Sequence, residues 1–285
     1  MKVYCSAKNS LSYKLRMVLR VILLTLLAII QLFPLLWLID FSLCESSRLF
    51  GSSILVWPDP PQWGNYYQAI FQSHFFLYLK NSVLINTLSI FLVVVFSMMC
   101  AFACTRMEWK LRGAVSILLL LGLMIPPHAT ILPNYLVFSK LKLTDTIWAL
   151  LLPYVAFPLS TGFLLTSSYL QTIPRSLEES ALLDGCGIYR MIFQIILPLM
   201  KSSITTVAIM TFLSNWNEFL SAMTYLKTDR WKTLPFLVLE FTGLYSSDYA
   251  VQFAVMALSA IPALLVYFLM NKSIVKGIAV GAVKG

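Results

Sequence analysis

Residues 178–198 read Glu-Glu-Ser-Ala-Leu-Leu-Asp-Gly-Cys-Gly-Ile-Tyr-Arg-Met-Ile-Phe-Gln-Ile-Ile-Leu-Pro and stand between two long apolar stretches of the chain. Acidic residues open the segment, glycines interrupt it, and an amphipathic run closes it. This pattern indicates a helix, a turn and a second helix outside the membrane. Such a unit could contact a soluble partner, and the alternative is an ordinary helix lying on the membrane surface.

The first helix of this segment is predicted over 176–184. Ser176 and Glu179 have the spacing of a capping box, and acidic residues in the first turn complement the helix dipole. Gly185 and Gly187 supply the left-handed or flexible positions that end a helix. Apolar residues then recur at spacings of three and four, which places them on one face of a second helix: Ile188, Met191, Ile192, Ile195 and Ile196. Pro198 suits the start of the next helix, where a missing N–H costs nothing.

The composition around this segment is that of a membrane protein. Hydrophobic residues make up 59% of the 285 residues and charged residues 12%, whereas soluble domains carry about 25% charged residues. The net charge of +9 does not indicate nucleic-acid binding, because the basic residues flank apolar runs as membrane topology requires.

The apolar runs predict an all-α membrane protein with six transmembrane helices in a single domain, 1–285. Each span needs about 20 apolar residues, and span ends carry errors of several residues. The spans are predicted over residues 17–39, 81–104, 114–138, 146–169, 202–226 and 249–270. Pro126, Pro127 and Pro133 interrupt the third span, and broken helices leave carbonyls that can line a cavity. The loop 171–200 joins the fourth and fifth spans.

The basic residues predict that both termini are cytoplasmic. With that orientation, 14 of the 21 lysines and arginines lie in inside segments and 7 in outside segments. The first apolar run has no A-x-A-like site after it, so we expect a signal anchor rather than a cleaved leader. Loop 171–200 is then cytoplasmic.

A polar group within the fifth span is the main candidate for a pore or gate. It consists of Asn215, Trp216, Asn217 and Glu218. Polar and ionisable residues in spans are costly and usually face the interior or a cavity. Interhelical hydrogen bonds that fix packing are the equally open alternative.

The segment 178–198 also resembles a family motif. Glu179-Ser180-Ala181, Gly185, Ile195 and Leu197-Pro198 match E-A-A-x3-G-x9-I-x-L-P, with serine in place of one alanine. This motif is typical of the membrane subunits of ATP-driven, binding-protein-dependent (ABC) importers. Residues 212–219 resemble the F-L-x-x-W-N-[DE]-F of the carbohydrate group, 233–235 its T-L-P, and 275–285 its V-x-G-x-x-x-G-A-V-K-G ending. The chain is therefore similar to the MalG-like permeases of sugar importers.

The resemblance implies a non-catalytic, multi-pass permease subunit in a bacterial or archaeal inner membrane. Its implied partners are a second (MalF-like) permease, an ATPase dimer, an extracytoplasmic sugar-binding protein and the sugar. ATP and Mg would bind to the ATPase, and no cofactor is expected on this chain, which has no G-x-x-x-x-G-K-[ST] sequence. No catalytic or metal-binding residue is assigned.

The resemblance also assigns site residues. The residues implied to couple to the ATPase are Glu178, Glu179, Ser180, Ala181, Asp184, Gly185, Leu197 and Pro198. The helix of residues 176–184 would be the coupling helix. The tail residues Lys276, Gly281 and Lys284 would reach the ATPase. Apart from the resemblance, Asn215, Trp216 and Asn217 offer hydrogen bonds and an aromatic face to a sugar, and Glu218 is a candidate for the pore or gate.

Three alternatives remain open at this stage. The first is a permease of the same type for a glycerol-phosphate compound. The second is a secondary transporter, which should show more charges within its spans or half-helices in a repeat. The third is a membrane enzyme, for which no carboxylate pair or nucleophile cluster stands out.

Overall fold

The computed structural model describes residues 11–49, 57–243 and 247–282, with side chains from 14 to 270 inside those ranges. The helices of this part of the chain are α1 (Leu11–Ser42), α2 (Gly64–Phe71), α3 (Phe75–Thr105), α4 (Arg112–Met124), α5 (Pro127–Lys140), α6 (Trp148–Leu170), α7 (Ser176–Leu183), α8 (Ile188–Leu199), α9 (Lys201–Trp216), α10 (Leu220–Tyr225) and α11 (Tyr249–Ala282). A 3-10 segment, Leu234–Phe241, lies between α10 and α11. None of the described residues forms a β-strand, so the all-α prediction is confirmed.

Four of the described helices are long and apolar enough to cross a membrane by themselves. They are α1, α3, α6 and the part of α11 over Tyr249–Met270. Two bent pairs, α4 with α5 and α8 with α9, raise the number to six if each pair is one span. The predicted count of six therefore depends on how these two pairs lie in the membrane.

The third predicted span breaks where the sequence suggested. Helices α4 and α5 meet at 95° around Pro126 and Pro127, because proline cannot donate to the helical ladder and restricts the residue before it. Pro133, by contrast, lies inside α5 without ending it.

The predicted fifth span, 202–226, contains a break in its helix. Helix α9 ends at Trp216, and α10 begins only at Leu220. The side-chain amide of Asn217 donates to the carbonyl oxygen of Leu213 at 3.0 Å. Asparagine side chains compete with backbone N–H groups for such carbonyls, which favours asparagine at helix ends. A second bend, of 77°, separates α8 from α9.

The described chain divides into two compact units, and whether they form one permease domain stays a prediction. Among the described residues, the first unit comprises 11–49, 57–72, 241–243 and 247–258. Its core contains Phe41, Cys44, Leu49 and Ala250, with Trp37 and Phe253 packed against them. The side chains of α1 from residue 14 to 36 are all exposed, so this apolar helix presents its surface to lipid or to another chain.

The second unit comprises Ser73–Glu240 and Ser259–Gly285, and α3, α6 and α9 pack together at its centre. Small residues allow this close approach. A Cβ atom on Gly162 of α6 would lie 3.0 Å from the Cβ of Ser97 in α3 and 3.3 Å from Val207 in α9. Small side chains at such contacts are typical of membrane bundles, where packing drives association.

Candidate functional site

The start of α7 differs from the predicted capping box. Helix α7 begins at Ser176, but no side chain caps it. The N–H of Leu177 donates to the carbonyl oxygen of Pro174, and the N–H groups of Glu178 and Glu179 donate to the carbonyl oxygen of Arg175. Because backbone carbonyls already accept these first N–H groups, the capping-box interpretation was wrong.

The end of α7 follows the prediction closely. Gly185 has a φ of +74°, the left-handed position that glycine adopts without cost. Its N–H donates to Leu182, and the N–H of Cys186 donates to Ala181. This pair of hydrogen bonds is the Schellman motif. Gly187 is extended, with a φ of −69°, so only Gly185 has the expected left-handed geometry.

Helices α7 and α8 form a folded projection, which we call the α7–α8 knob (residues 176–199). Its buried residues Ala181, Met191 and Ile196 pack against Phe102 of α3 and Leu170 of α6. Ile192 and Ile195 are partly buried in the same cluster, as the amphipathic pattern predicted, whereas Ile188 is exposed. The knob is thus fixed to the bundle by one face.

The outer face of the knob is open. Its exposed residues on and just after α7 include Glu179, Ser180, Leu182, Leu183 and Asp184. Leu183 is 89% exposed, although leucine on a surface without a partner forfeits its hydrophobic stabilisation. A polar rim around exposed leucines is typical of a protein-binding surface.

The I-x-L-P ending of the motif lies at a distorted turn of α8. A π-helical turn spans Ile192–Ile196, directly before Leu197 and Pro198. Proline lacks the N–H that would bond four residues back, and a π-turn is one way of absorbing that loss. Leu197 packs partly into the knob's core, while Pro198 is exposed.

Glu178 turns away from this open face. Its Oε1 lies 2.8 Å from Nε of Arg106, and the two side chains are 12% and 7% exposed. Burial raises the pKa of Glu178, while the charges of Arg106 and Arg175 act in the opposite direction. Of the two neighbouring glutamates, Glu179 therefore remains the one that a partner can reach.

Two of the four pore candidates hold the bundle together. The amide of Asn215 donates to Ser89 Oγ and to the carbonyl oxygen of Tyr154, both at 3.0 Å. The indole N–H of Trp216 donates to the carbonyl oxygen of Ser259 at 3.0 Å. Both side chains are at most 5% exposed, which is the packing role that the sequence left open.

Glu218 joins three elements beside a small cavity. Its Oε2 accepts the hydroxyl proton of Tyr154 at 2.7 Å, and its Oε1 accepts the N–H of Ser221 at 2.8 Å. A carboxylate at the first turn of α10 satisfies an otherwise unpaired donor and favours the helix dipole. The adjoining cavity of about 50 Å³ also touches His128 and Tyr225.

A larger cavity lies in the same unit. Its volume is about 300 Å³, and its lining includes Phe157, Thr161, Thr211 and Ser214. Pro127, Phe157 and Ser214 also line the smaller cavity. An aromatic ring beside hydroxyl groups can bind the apolar face and the polar edge of one ligand. The exposed Asn217 does not line either cavity.

The remaining predictions concern the tail and metal ions. Lys276 and Gly281 lie on α11 beyond the part with described side chains, and Lys284 lies outside the described residues. Within residues 11–49, 57–243 and 247–282, no three His, Cys, Asp or Glu side chains come together as a metal site.

Sequence reasoning missed Arg106 and Tyr154. Each makes its contact with a residue more than 60 positions away, as Arg106 does with Glu178 and Tyr154 with Glu218. The one available signal was the position of Arg106 in a short basic loop between two spans, which indicates topology but not a partner.

Known proteins match both the sequence and the fold. The family model described as "Binding-protein-dependent transport system inner membrane component" matches residues 93–280. The chain is 35% identical over 252 residues to a putative ABC transporter permease protein of Caldicellulosiruptor sp., covering 88% of this chain and 91% of that protein. It is 32% identical over 275 residues to the trehalose/maltose transport system permease protein MalG of Thermococcus litoralis, covering 95% and 98%.

Among solved structures, a bacterial ABC transporter involved in the import of the acidic polysaccharide alginate contains a similar chain. The TM-score is 0.79, with 20% identity, and the match covers 93% of this chain and 98% of that chain. At this identity the match concerns the fold.

Proposed function

From its membership of the family of binding-protein-dependent transport system inner membrane components, to which this chain belongs, we propose that it is a permease subunit of an ATP-driven sugar importer. It forms the translocation pore with a second, MalF-like permease, and an extracytoplasmic binding protein delivers an oligosaccharide. A separate ATPase dimer binds ATP and Mg. Relatives whose names refer to sugars, such as the Thermococcus protein, support this substrate class.

The observation that carries the proposal is the α7–α8 knob. The E-A-A-type motif folds into a helix closed by a Schellman turn, with one face packed on α3 and α6 and the other open. Such a unit can dock in a cleft of a soluble subunit and transmit its displacement to the bundle. Glu179, Leu182 and Leu183 are the contact residues of this docking face.

The proposal includes a topology. The termini and the α7–α8 knob face the cytoplasm, the bent pairs α4–α5 and α8–α9 each count as one span, and the tail residues Lys276, Gly281 and Lys284 contact the ATPase. The excess of lysine and arginine in the inside segments supports this orientation. The membrane is the bacterial or archaeal inner membrane.

The test is ATP hydrolysis by the co-purified complex in proteoliposomes. Binding protein is added with trehalose, maltose or an alginate oligosaccharide, and wild type is compared with Glu179→Arg. We expect a sugar to stimulate the wild-type complex and Glu179→Arg to abolish that stimulation. The matched control is Glu108→Arg, which reverses another exposed glutamate in a different inside loop. Equal stimulation of both variants would contradict the coupling role of Glu179, and absence of a co-purifying ATPase would contradict the proposal itself.

A further inference from the structure

Two arginines cap the ends of the helices on which α7 rests. Arg106 follows α3, and its Nη2 donates to the carbonyl oxygens of Leu170 and Ile173 at the end of α6, each at 2.7 Å. Arg175 follows α6, and its Nη2 donates to the carbonyl oxygen of Thr105, the last residue of α3, at 3.2 Å. The last carbonyl of each helix is therefore bound by an arginine from beyond the end of the other helix.

The same guanidinium that caps α6 also binds α7. Nε of Arg106 lies 2.8 Å from Oε1 of Glu178 as an ion pair, with both side chains nearly buried and no aligned hydrogen bond between the two atoms. The hydrogen bonds of Nη2 to Leu170 and Ile173 hold the guanidinium in place, so its charge draws the carboxylate of Glu178 to one position. Because a buried ion pair adds little net stability over an apolar contact, its distinctive contribution here is geometric.

The apolar attachment of α7 alone is small. Helix α7 has eight residues, and Ala181 is its one buried residue. An alanine methyl group buries too little area to hold a helix at a fixed angle. The ion pair of Glu178 with Arg106 is therefore the second point that orients α7 on the bundle.

We propose that Arg106, Arg175 and Glu178 form a lock that makes α7 move as one body with the inner ends of α3 and α6. This inference rests on the proposed function, in which α7 receives the movement of the ATPase. Arg106 and Glu178 are positioning residues, because they act through the helices that they join. Glu179, the next residue, faces outward and takes no part in the lock.

The first test measures hydrogen–deuterium exchange in the isolated chain in detergent. Glu178→Gln removes the charge but preserves the shape of the side chain. We expect backbone amides of α7 to exchange about tenfold faster in this variant, the effect of leaving Arg106 without its charged partner. The control Glu108→Gln, which removes an exposed carboxylate two residues from Arg106, should leave α7 unchanged. Exchange in Glu178→Gln equal to wild type would overturn the lock.

The second test measures a distance in the complete complex. Spin labels replace Leu183 of α7 and Met99 of α3, both exposed, in a chain freed of its five native cysteines. ATP with vanadate is the trigger. In wild type and Glu108→Gln the distance between the labels should stay the same with and without the trigger, whereas in Glu178→Gln it should shift or broaden.

If Glu178 only stabilised the fold, Glu178→Gln would lower the melting temperature without altering this distance. That result would overturn the lock. A distance that changes with ATP in the wild type would also overturn it. If no ATPase assembles with the chain, the proposed function fails, and the exchange measurement on the isolated chain still decides whether α7 is locked to the bundle.

Discussion

Single residues with positive φ mark two of the sharpest turns of this chain. Gly185 closes α7, and Asp145, with a φ of +62°, stands in the loop between α5 and α6. Asp145 accepts hydrogen bonds from the N–H groups of Lys227 and Thr228, at 3.0 and 2.9 Å, and from the Thr228 hydroxyl. One carboxylate thus fastens this loop to the segment that follows α10.

These hydrogen bonds predict a pH dependence of stability. Burial acts to raise the pKa of Asp145, but the donors of Thr228 and Lys227 outweigh it and lower that pKa overall. A carboxyl whose pKa is lower in the folded state stabilises the fold above its unfolded pKa of about 3.9 and loses that contribution as the pH falls through the folded pKa. Asp145→Asn should therefore melt a few degrees below wild type at pH 7.

The measurement is a series of melting temperatures of the purified chain in detergent between pH 7 and pH 3. The difference between Asp145→Asn and wild type should begin to shrink as the pH falls past about 4, because the unfolded wild-type chain then takes up a proton at Asp145 that the folded chain binds only at lower pH. Asp59→Asn, which neutralises an exposed aspartate elsewhere, controls for the loss of charge. A difference independent of pH would contradict this interpretation of Asp145.

At the scale of elements, Tyr154 and Glu218 connect α6 to the interrupted fifth span. The hydroxyl of Tyr154 is buried and donates to Glu218, which in turn accepts the N–H of Ser221 in α10. Removing one partner of a buried hydrogen bond leaves the other unsatisfied. The break between α9 and α10 is thus stabilised from α6.

We expect Tyr154→Phe to destabilise the chain by about 1–3 kcal/mol. The change should lower the melting temperature, and its effect should be non-additive with Glu218→Gln, because residues in one hydrogen-bond network couple. Tyr189→Phe, at a tyrosine that is 77% exposed, is the matched control. Additive effects in the double variant would show that the two side chains do not act together.

The sequence predicted the elements whose signals are local. Gly185 ended α7, and Pro126 with Pro127 broke the third span, because each of these residues restricts its own backbone. The break after Trp216 escaped prediction, because it is stabilised by a tertiary contact: Tyr154 of α6 donates to Glu218, which also accepts the N–H of Ser221. The capping box at Ser176 failed because the preceding turn already supplied the acceptors.

In the candidate site, too, the features with local signals were predictable and those that depend on tertiary contacts were not. The location of the knob follows from the motif, and the buried face of α8 follows from its periodicity. The inward turn of Glu178, in contrast, depends on Arg106, a residue 72 positions earlier. Neighbouring glutamates look equivalent in the sequence, and only the packing of α7 on α3 and α6 distinguishes them. The burial of Asn215 and Trp216 has the same tertiary origin.

At the scale of the whole molecule, two of the exposed apolar surfaces bear on the proposed function. Helix α1 exposes its side chains from residue 14 to 36, as a span in lipid or against another permease would. The α7–α8 knob exposes Leu182 and Leu183 among charged residues, as a docking face for a soluble subunit would. A pore-forming subunit that is driven by a separate ATPase requires both surfaces.

The most direct test of the account is a photo-crosslink from the knob. A benzophenone-bearing residue replaces Leu183 in the assembled complex, and the same residue replaces Leu141, which is 61% exposed in the loop after α5, in a control. We expect position 183 to form an adduct with the ATPase subunit and position 141, on the predicted outer side, to form none. Equal adducts from both positions, or an adduct of position 183 with lipid alone, would contradict the docking of α7 on the ATPase.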